Sequence, residues 1–114
     1  MKFYKGNNGL LLSLLNAESE LKEVRVGTVD ASLEKHVPVV EVEGNKVKVR
    51  VGSVEHPMQD VHYIEMIILE TKKGLQVKYL NPGEEPYAEF LLNNDEVVAA
   101  YEYCNLHGLW KYEV

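Results

Sequence analysis

Hydrophobic and polar residues alternate with a period of two along most of the chain, beginning near Val24. The clearest example is a pair of valine-rich alternating runs, 37–43 and 46–51, on either side of Gly44-Asn45. Such alternation is typical of half-buried strands, and a Gly-Asn pair between two of them predicts an antiparallel hairpin. In the second run the valines share one face and the basic residues share the other, so we expect one face of the hairpin to be solvated.

Five more runs rich in β-branched and aromatic residues follow this hairpin, separated by turn sequences such as Asn81-Pro82-Gly83. No segment has the period of a convincing amphipathic helix. The further predicted strands cover 63–70, 75–80, 88–92, 96–103 and 108–113. About seven short strands in roughly 100 residues predict an all-β fold, an immunoglobulin-like antiparallel β-sandwich.

The first 29 residues differ from the rest in composition. They contain neither histidine nor cysteine, and they carry four basic and three acidic residues, against eight basic and fifteen acidic residues in the remainder. We therefore expect a short N-terminal head at 1–29 and a β-sandwich domain at 30–114. Within the head, the apolar run 10–15 is far shorter than a bilayer span, and no signal-peptide cleavage site follows it. It predicts a small packed element of a cytoplasmic protein.

The overall composition of the 114 residues narrows the class of protein further. The net charge of −6 disfavours duplex nucleic acid as the main partner, because phosphate binding needs a basic face. A single cysteine excludes an intramolecular disulfide and favours a reducing compartment.

All of the histidines and the one cysteine fall in connections or at strand edges: His36, His56, His62, Cys104 and His107. A single histidine is more often a surface or hydrogen-bonded core residue, and a single buried cysteine is usually a small hydrophobe. Loops at the ends of a sandwich converge in space, however, so five such residues outside the strand interiors favour a metal site. The set is too large for a four-coordinate zinc site, and no methionine follows Cys104 as blue copper would require. One thiolate among several imidazoles suits iron better, with five protein ligands and one octahedral position open.

Four sequence strings then identify a family. The strings EKHVPV (34–39), VGSVEHPM (51–58), HYIE (62–65) and YCNLHGLWK (103–111) resemble, in this order, the iron-site motifs of superoxide reductases, the desulfoferrodoxin and neelaredoxin family. The resemblance covers about residues 26–112. It implies an immunoglobulin-like sandwich that holds one iron, Fe2+ or Fe3+, with a cysteine as axial ligand opposite an open site. The ligands it implies are the four histidines, in a plane, and Cys104: His36, His56, His62, His107.

The resemblance also implies an activity and partners. The reaction is the one-electron reduction of superoxide to hydrogen peroxide, with an electron donor such as rubredoxin and with a homodimer as the expected assembly. Lys35 is expected to attract the superoxide anion, and Glu34 to become a sixth ligand of ferric iron. Because Glu34 and His36 would share one face of an extended strand, with Lys35 on the other, we expect residues 32–36 to form an irregular, mobile loop. The head resembles the desulforedoxin-like head of two-domain members but lacks its metal-binding cysteines, as in the class with a metal-free head.

Two other functions remain open from the sequence. The same five ligands would serve a small iron electron-transfer protein without a substrate site. An interaction domain with vestigial ligands is the third possibility.

Overall fold

The computed structural model describes residues 1–6, 9–13 and 22–114, with only the backbone described for 9–13. Within these residues the regular secondary structure is all strand apart from one helical turn, and no helix there is long and apolar enough to cross a membrane. In chain order the elements are β1 (Lys2–Gly6), β2 (Gly9–Ser13), β3 (Lys22–Val24), α1 (Leu33–His36), β4 (Pro38–Glu43), β5 (Lys46–Val51), β6 (Ile64–Thr71), β7 (Gly74–Tyr79), β8 (Tyr87–Leu91), β9 (Val97–Cys104) and β10 (Gly108–Glu113).

Seven of these strands form the predicted antiparallel sandwich. One sheet has the order β4-β5-β8 and the other has the order β10-β9-β6-β7. The alternating valines of β5 point between the two sheets, and the exposed fraction of each is 1 % or less. They pack there against apolar side chains of β6, β8 and β9, which include Ile64, Ile67, Leu69, Ala88 and Ala100. The all-β fold class and the β4–β5 hairpin are therefore confirmed.

The segment before β4 differs from the expectation. Residues 33–36 form a helical turn rather than an irregular loop, with the Val37 backbone N–H donating to the Leu33 carbonyl at 2.9 Å. The connection after β5 holds this turn in place, because the Glu34 carbonyl accepts hydrogen bonds from the Val54 backbone N–H at 2.9 Å and from the Ser53 hydroxyl at 3.2 Å. These partners lie about 20 residues away along the chain, which is why the local sequence pattern missed the turn. Its mobility stays a prediction.

The head adds a third layer. Its sheet has the order β2-β1-β3, and Phe3 of β1 packs on Tyr101 of the four-stranded sheet with ring centroids 4.8 Å apart. Met66 belongs to the same apolar cluster, on the outer face of that sheet. The predicted packed element at 10–15 is the strand β2 in its described part, and residues 14 and 15 lie outside the described residues.

Candidate metal centre

The structure brings all five predicted metal ligands to one end of the sandwich. His36 ends α1, His56 and His62 lie in the connection between β5 and β6, Cys104 ends β9, and His107 lies in the turn before β10. One possible ligand atom from each residue lies within 4.8 Å of the corresponding atom of every other. Residues as far apart in the chain as 36 and 107 therefore meet at a single point.

The four imidazoles form a closed ring in the order His36, His56, His62, His107. Consecutive ring centroids are 4.7, 4.7, 5.0 and 4.9 Å apart, and each ring is nearly perpendicular to the next, at 80–82°. Nε2 of His36 lies 3.2 Å from Nε2 of His56 and 3.1 Å from Nδ1 of His107. Adjacent donors in a square with metal–nitrogen bonds of about 2.1 Å would be about 3.0 Å apart. The ring therefore has the right size to surround one transition-metal ion.

Unsatisfied polar atoms support the same conclusion. Nε2 of His62 is buried and has no hydrogen-bond partner among the described residues. A buried nitrogen without a partner is unfavourable in a folded protein. A cation at the centre of the ring would satisfy it, so the residues present fit a bound metal ion.

Two carbonyl groups orient the most buried imidazoles. Nδ1 of His36 donates to the Ser32 carbonyl and Nδ1 of His56 donates to the Pro57 carbonyl, each at 2.7 Å. Each bond leaves the Nε2 lone pair free to point into the ring, as in many metal sites.

The electrostatic surroundings keep these rings neutral. Desolvation lowers the pKa of His36 and lowers the pKa of His56 to about 4, although the carbonyl hydrogen bonds oppose the shift. Desolvation also lowers the pKa of His62, and the charges of His107 and Lys35 add to the effect. Near neutral pH these lone pairs are therefore available to a cation.

Cys104 approaches the ring from the protein interior. Its side chain is fully buried, and its Sγ lies 3.9 Å from Nδ1 of His107. Burial raises the pKa of the thiol, while backbone hydrogen bonds from His107 and Leu106 lower it. A metal ion in the ring would supply the positive charge that deprotonates a thiol in such a place.

The two residues predicted to face the substrate, Lys35 and Glu34, both lie on α1 but differ in their relation to the metal ligands. Lys35 is exposed, and its positive charge contributes to the lowered pKa values of His36 and His62, so its ammonium group acts on the site. Glu34 is also exposed, and its carboxylate is not part of the group of converging ligand atoms. Its backbone carbonyl accepts the two hydrogen bonds from the connection after β5.

Trp110 and Asn105, which lie in the sequence string 103–111, make contacts that the sequence did not predict. The Trp110 indole N–H donates to the His107 carbonyl at 3.0 Å, and its ring lies 5.2 Å from that of His36. The side chain of Asn105 bonds to the backbone on both sides of His62. Their only sequence signal was their position next to the ligands.

The site is closed toward the core and reaches the surface on one side. His36 and His56 are 2 % exposed and Cys104 is 0 % exposed. His62 and His107, in contrast, are half-buried. The edge of the ring formed by these two imidazoles is therefore the part of the site nearest the surface.

Comparison with known proteins agrees with this geometry. The family model described as Desulfoferrodoxin matches residues 28–113. A desulfoferrodoxin homolog of Archaeoglobus fulgidus is 53 % identical over 80 % of this chain and 72 % of its own length. A superoxide reductase of Pyrococcus furiosus is 36 % identical over 71 % of this chain and 87 % of its own.

Among solved structures, the crystal structure of the superoxide reductase from Treponema pallidum is similar in both fold and sequence. It has a TM-score of 0.85 and 44 % sequence identity, and the match covers 99 % of this chain and 100 % of that one. The match thus includes the head as well as the sandwich. With a family model that covers most of its length, this chain belongs to the desulfoferrodoxin family.

Proposed function

We propose that this chain is a superoxide reductase that converts superoxide to hydrogen peroxide at one iron held by the four histidines and Cys104. The observation that carries the proposal is the closed ring of imidazoles with a buried thiol on its core side. A bound iron would supply the one electron by passing from Fe2+ to Fe3+, and two protons from solvent would complete the peroxide.

The protein's own residues prepare the site for this chemistry. The imidazoles of His36, His56 and His62 offer nitrogen donors without needing to lose a proton, since their pKa values are lowered. The buried Cys104 would hold the iron through its sulfur and, as a thiolate, would donate electron density to it.

Lys35 attracts the substrate. A net charge of −6 repels an anion at long range, so a local positive charge at the entrance is needed to raise the encounter rate. Lys35 is exposed, and its charge acts on His36 and His62. We therefore assign substrate attraction to Lys35.

Glu34 is proposed as the group that closes the open position after turnover. Ferric iron is a harder ion than ferrous iron and favours a carboxylate oxygen. Glu34 lies on the same helical turn as His36, but its carboxylate is outside the group of converging atoms, so its side chain must move to reach the iron.

An electron-transfer protein with the same ligands is the alternative. The half-buried edge at His62 and His107, with the exposed Lys35 acting on it, favours a site that admits a substrate. The electron donor (rubredoxin is the example that the family implies), the homodimer and the cytoplasmic location are proposed from the sequence alone.

The test is the reaction of the reduced, iron-loaded protein with a pulse of superoxide. We expect rapid second-order oxidation and one hydrogen peroxide per superoxide consumed, whereas dismutation would give half that yield. Zinc-loaded protein is the control, because zinc cannot supply the electron. An iron-loaded protein that superoxide does not oxidise would favour the electron-transfer alternative.

A further inference from the structure

His62 differs from its two better-buried neighbours in how its ring is oriented. The rings of His36 and His56 each donate to a backbone carbonyl, at 2.7 Å, through the nitrogen that faces away from the centre. No carbonyl within the described residues accepts a hydrogen bond from the His62 ring, and its Nε2, the nitrogen that a central cation would satisfy, has no partner there either. Metal-binding histidines almost always have an outer hydrogen bond that fixes the ring. The described hydrogen bonds that fix His62 are therefore those of its backbone.

The backbone on both sides of His62 is held by one side chain. The Tyr63 backbone N–H donates to Oδ1 of Asn105 at 2.9 Å, and Nδ2 of Asn105 donates to the Val61 carbonyl at 3.0 Å. The Asn105 backbone N–H adds a bond to the Tyr63 carbonyl, at 3.2 Å. The side-chain amide thus uses both its acceptor and its donor on the two residues that flank this ligand.

Asn105 also lies inside the other ligand loop, between Cys104 and His107. The remaining fixed point of His62 is a pair of backbone hydrogen bonds with Gln59, at 2.9 and 3.0 Å, within its own connection. Among the described residues, the hydrogen bonds that join the segment 61–63 to the loop carrying the thiol and the adjacent imidazole all involve Asn105.

We infer that Asn105 is a positioning residue that sets His62 in the ligand ring by clamping the backbone of residues 61 and 63. This inference rests on the proposed iron site. Asn105 fixes, through the backbone, a ligand whose ring donates to no carbonyl of the described residues. Loss of the amide should therefore loosen His62 selectively and leave the other three imidazoles in place.

The first test compares iron release. Asn105→Ala removes both side-chain bonds, and Gln76→Ala is the matched control, since it removes a side-chain amide that donates to the Leu91 carbonyl at 2.8 Å between β7 and β8. Outer-shell substitutions cost about 10- to 100-fold in metal affinity. We expect iron to leave the Asn105→Ala protein about 10- to 100-fold faster in the presence of a chelator, with Gln76→Ala unchanged. Equal release from Asn105→Ala and wild type would overturn the inference.

The second test identifies which ligand is loosened. Nitrogen-15 NMR of the zinc-loaded protein resolves the four imidazoles separately. In Asn105→Ala we expect exchange broadening or a free-imidazole shift for His62 alone. Equal broadening of all four rings would show a general loosening and contradict a role through His62.

Asn105→Asp is a second variant of the same side chain, for use if Asn105→Ala binds too little iron for its release rate to be measured. It retains the acceptor for the Tyr63 N–H but sets an oxygen against the Val61 carbonyl, so its iron release should also be faster than that of wild type. An apo-protein that fails to fold in both variants would make Asn105 a general structural residue and overturn the inference. Failure of wild-type protein to react with superoxide would refute the proposed function and leave these metal-binding results unaffected.

Discussion

At the scale of single residues, Glu102 is the most unusual side chain near the site. It is fully buried, and neither carboxylate oxygen has a hydrogen-bond partner among the described residues. It precedes Cys104 by two positions on β9, so both side chains point to the same face, toward the core between the sheets. Burial raises the pKa of Glu102 well above its ordinary value. Burial therefore favours the neutral, protonated form of this carboxyl group in the folded protein.

This protonation predicts how stability depends on pH. The unfolded chain ionises Glu102 at its ordinary pKa, so above that value folding must take up a proton, and stability falls as pH rises. Glu102→Gln removes this cost. We expect the Gln variant of the apo-protein to be more stable at neutral pH, with the difference growing by about 1.4 kcal/mol per pH unit while the folded carboxyl stays protonated.

Urea unfolding of the apo-protein between pH 5 and 8 measures this difference. Glu41→Gln, at an exposed position on β4, is the control for removing one carboxylate. A constant difference between Glu102→Gln and wild type across this range would show that Glu102 is ionised in the fold.

The positive charge of Lys35 leads to a prediction for the rate of reaction with superoxide. Removing its charge should lower the second-order rate of oxidation by superoxide, by about 3- to 10-fold at low ionic strength, and flatten its salt dependence. Lys72→Ala is the matched control, because Lys72 pairs with Glu96 at 2.8 Å in the turn after β6, at the far end from His62. Wild-type rates for Lys35→Ala in a stopped-flow or pulse experiment would refute the substrate-attraction role.

At the scale of elements, the turn α1 is shaped by a glycine that is distant in sequence. A Cβ on Gly52 would lie 2.6 Å from the Glu34 carbonyl oxygen and 3.0 Å from the Val37 carbonyl oxygen. Real Cβ atoms do not come this close to backbone atoms. Only glycine therefore allows the connection after β5 to press against the turn that carries Glu34, Lys35 and His36.

Gly52→Ala should accordingly displace α1 and His36 with it. We expect a loss of about 1–3 kcal/mol in the free energy of unfolding, typical of overpacking, together with faster iron release to a chelator. Gly74→Ala is the matched control, since nothing lies within 4 Å of a Cβ there. Iron release as slow as in wild type would show that the turn adapts without moving the ligand.

The elements also show what the sequence could predict. The hairpin β4–β5 was predictable because its alternating valines and its Gly-Asn turn are local signals, and each sandwich strand lies within one residue of its predicted ends. The turn α1 was not predictable, because it spans four residues and is held by partners at positions 53 and 54. The same limit applies to Asn105, whose bonds to residues 61 and 63 cross more than 40 positions.

At the scale of the whole molecule, the head packs on the opposite face of the sheet that supplies Cys104. Phe3 is 2 % exposed and contacts the outer-face cluster with Tyr101, Tyr103, Met66 and Leu109. Cys104 and the valines of β5 belong instead to the cluster between the two sheets. The division into a head at 1–29 and a sandwich at 30–114 stays a prediction, and these separate clusters support it.

This division predicts that the head stabilises the fold without shaping the metal site. Phe3→Ala should lower the free energy of unfolding by about 3 kcal/mol or more, as for other buried phenylalanines, and should leave iron release within about twofold of wild type. Tyr79→Ala is the control, at a 72 % exposed position on the outer face of the same sheet. It should change neither the free energy of unfolding nor the rate of iron release. Faster iron release from Phe3→Ala would show that the head and the site are coupled.

The ligand set was predictable as a set because the histidines and the cysteine are few and all lie outside strand interiors. The order of these ligands around the ring was not predictable, because it depends on how three separate connections meet at one end of the sandwich.

We propose that these five residues bind one iron with a free position facing solvent. The most direct measurement is an anomalous-diffraction map, at the iron edge, of crystals of the ferrous protein. We predict one peak inside the ring of His36, His56, His62 and His107, bonded also to Cys104 and open on the side away from the sulfur. Iron bound elsewhere, or a peak in the ring without the Cys104 sulfur, would contradict the account.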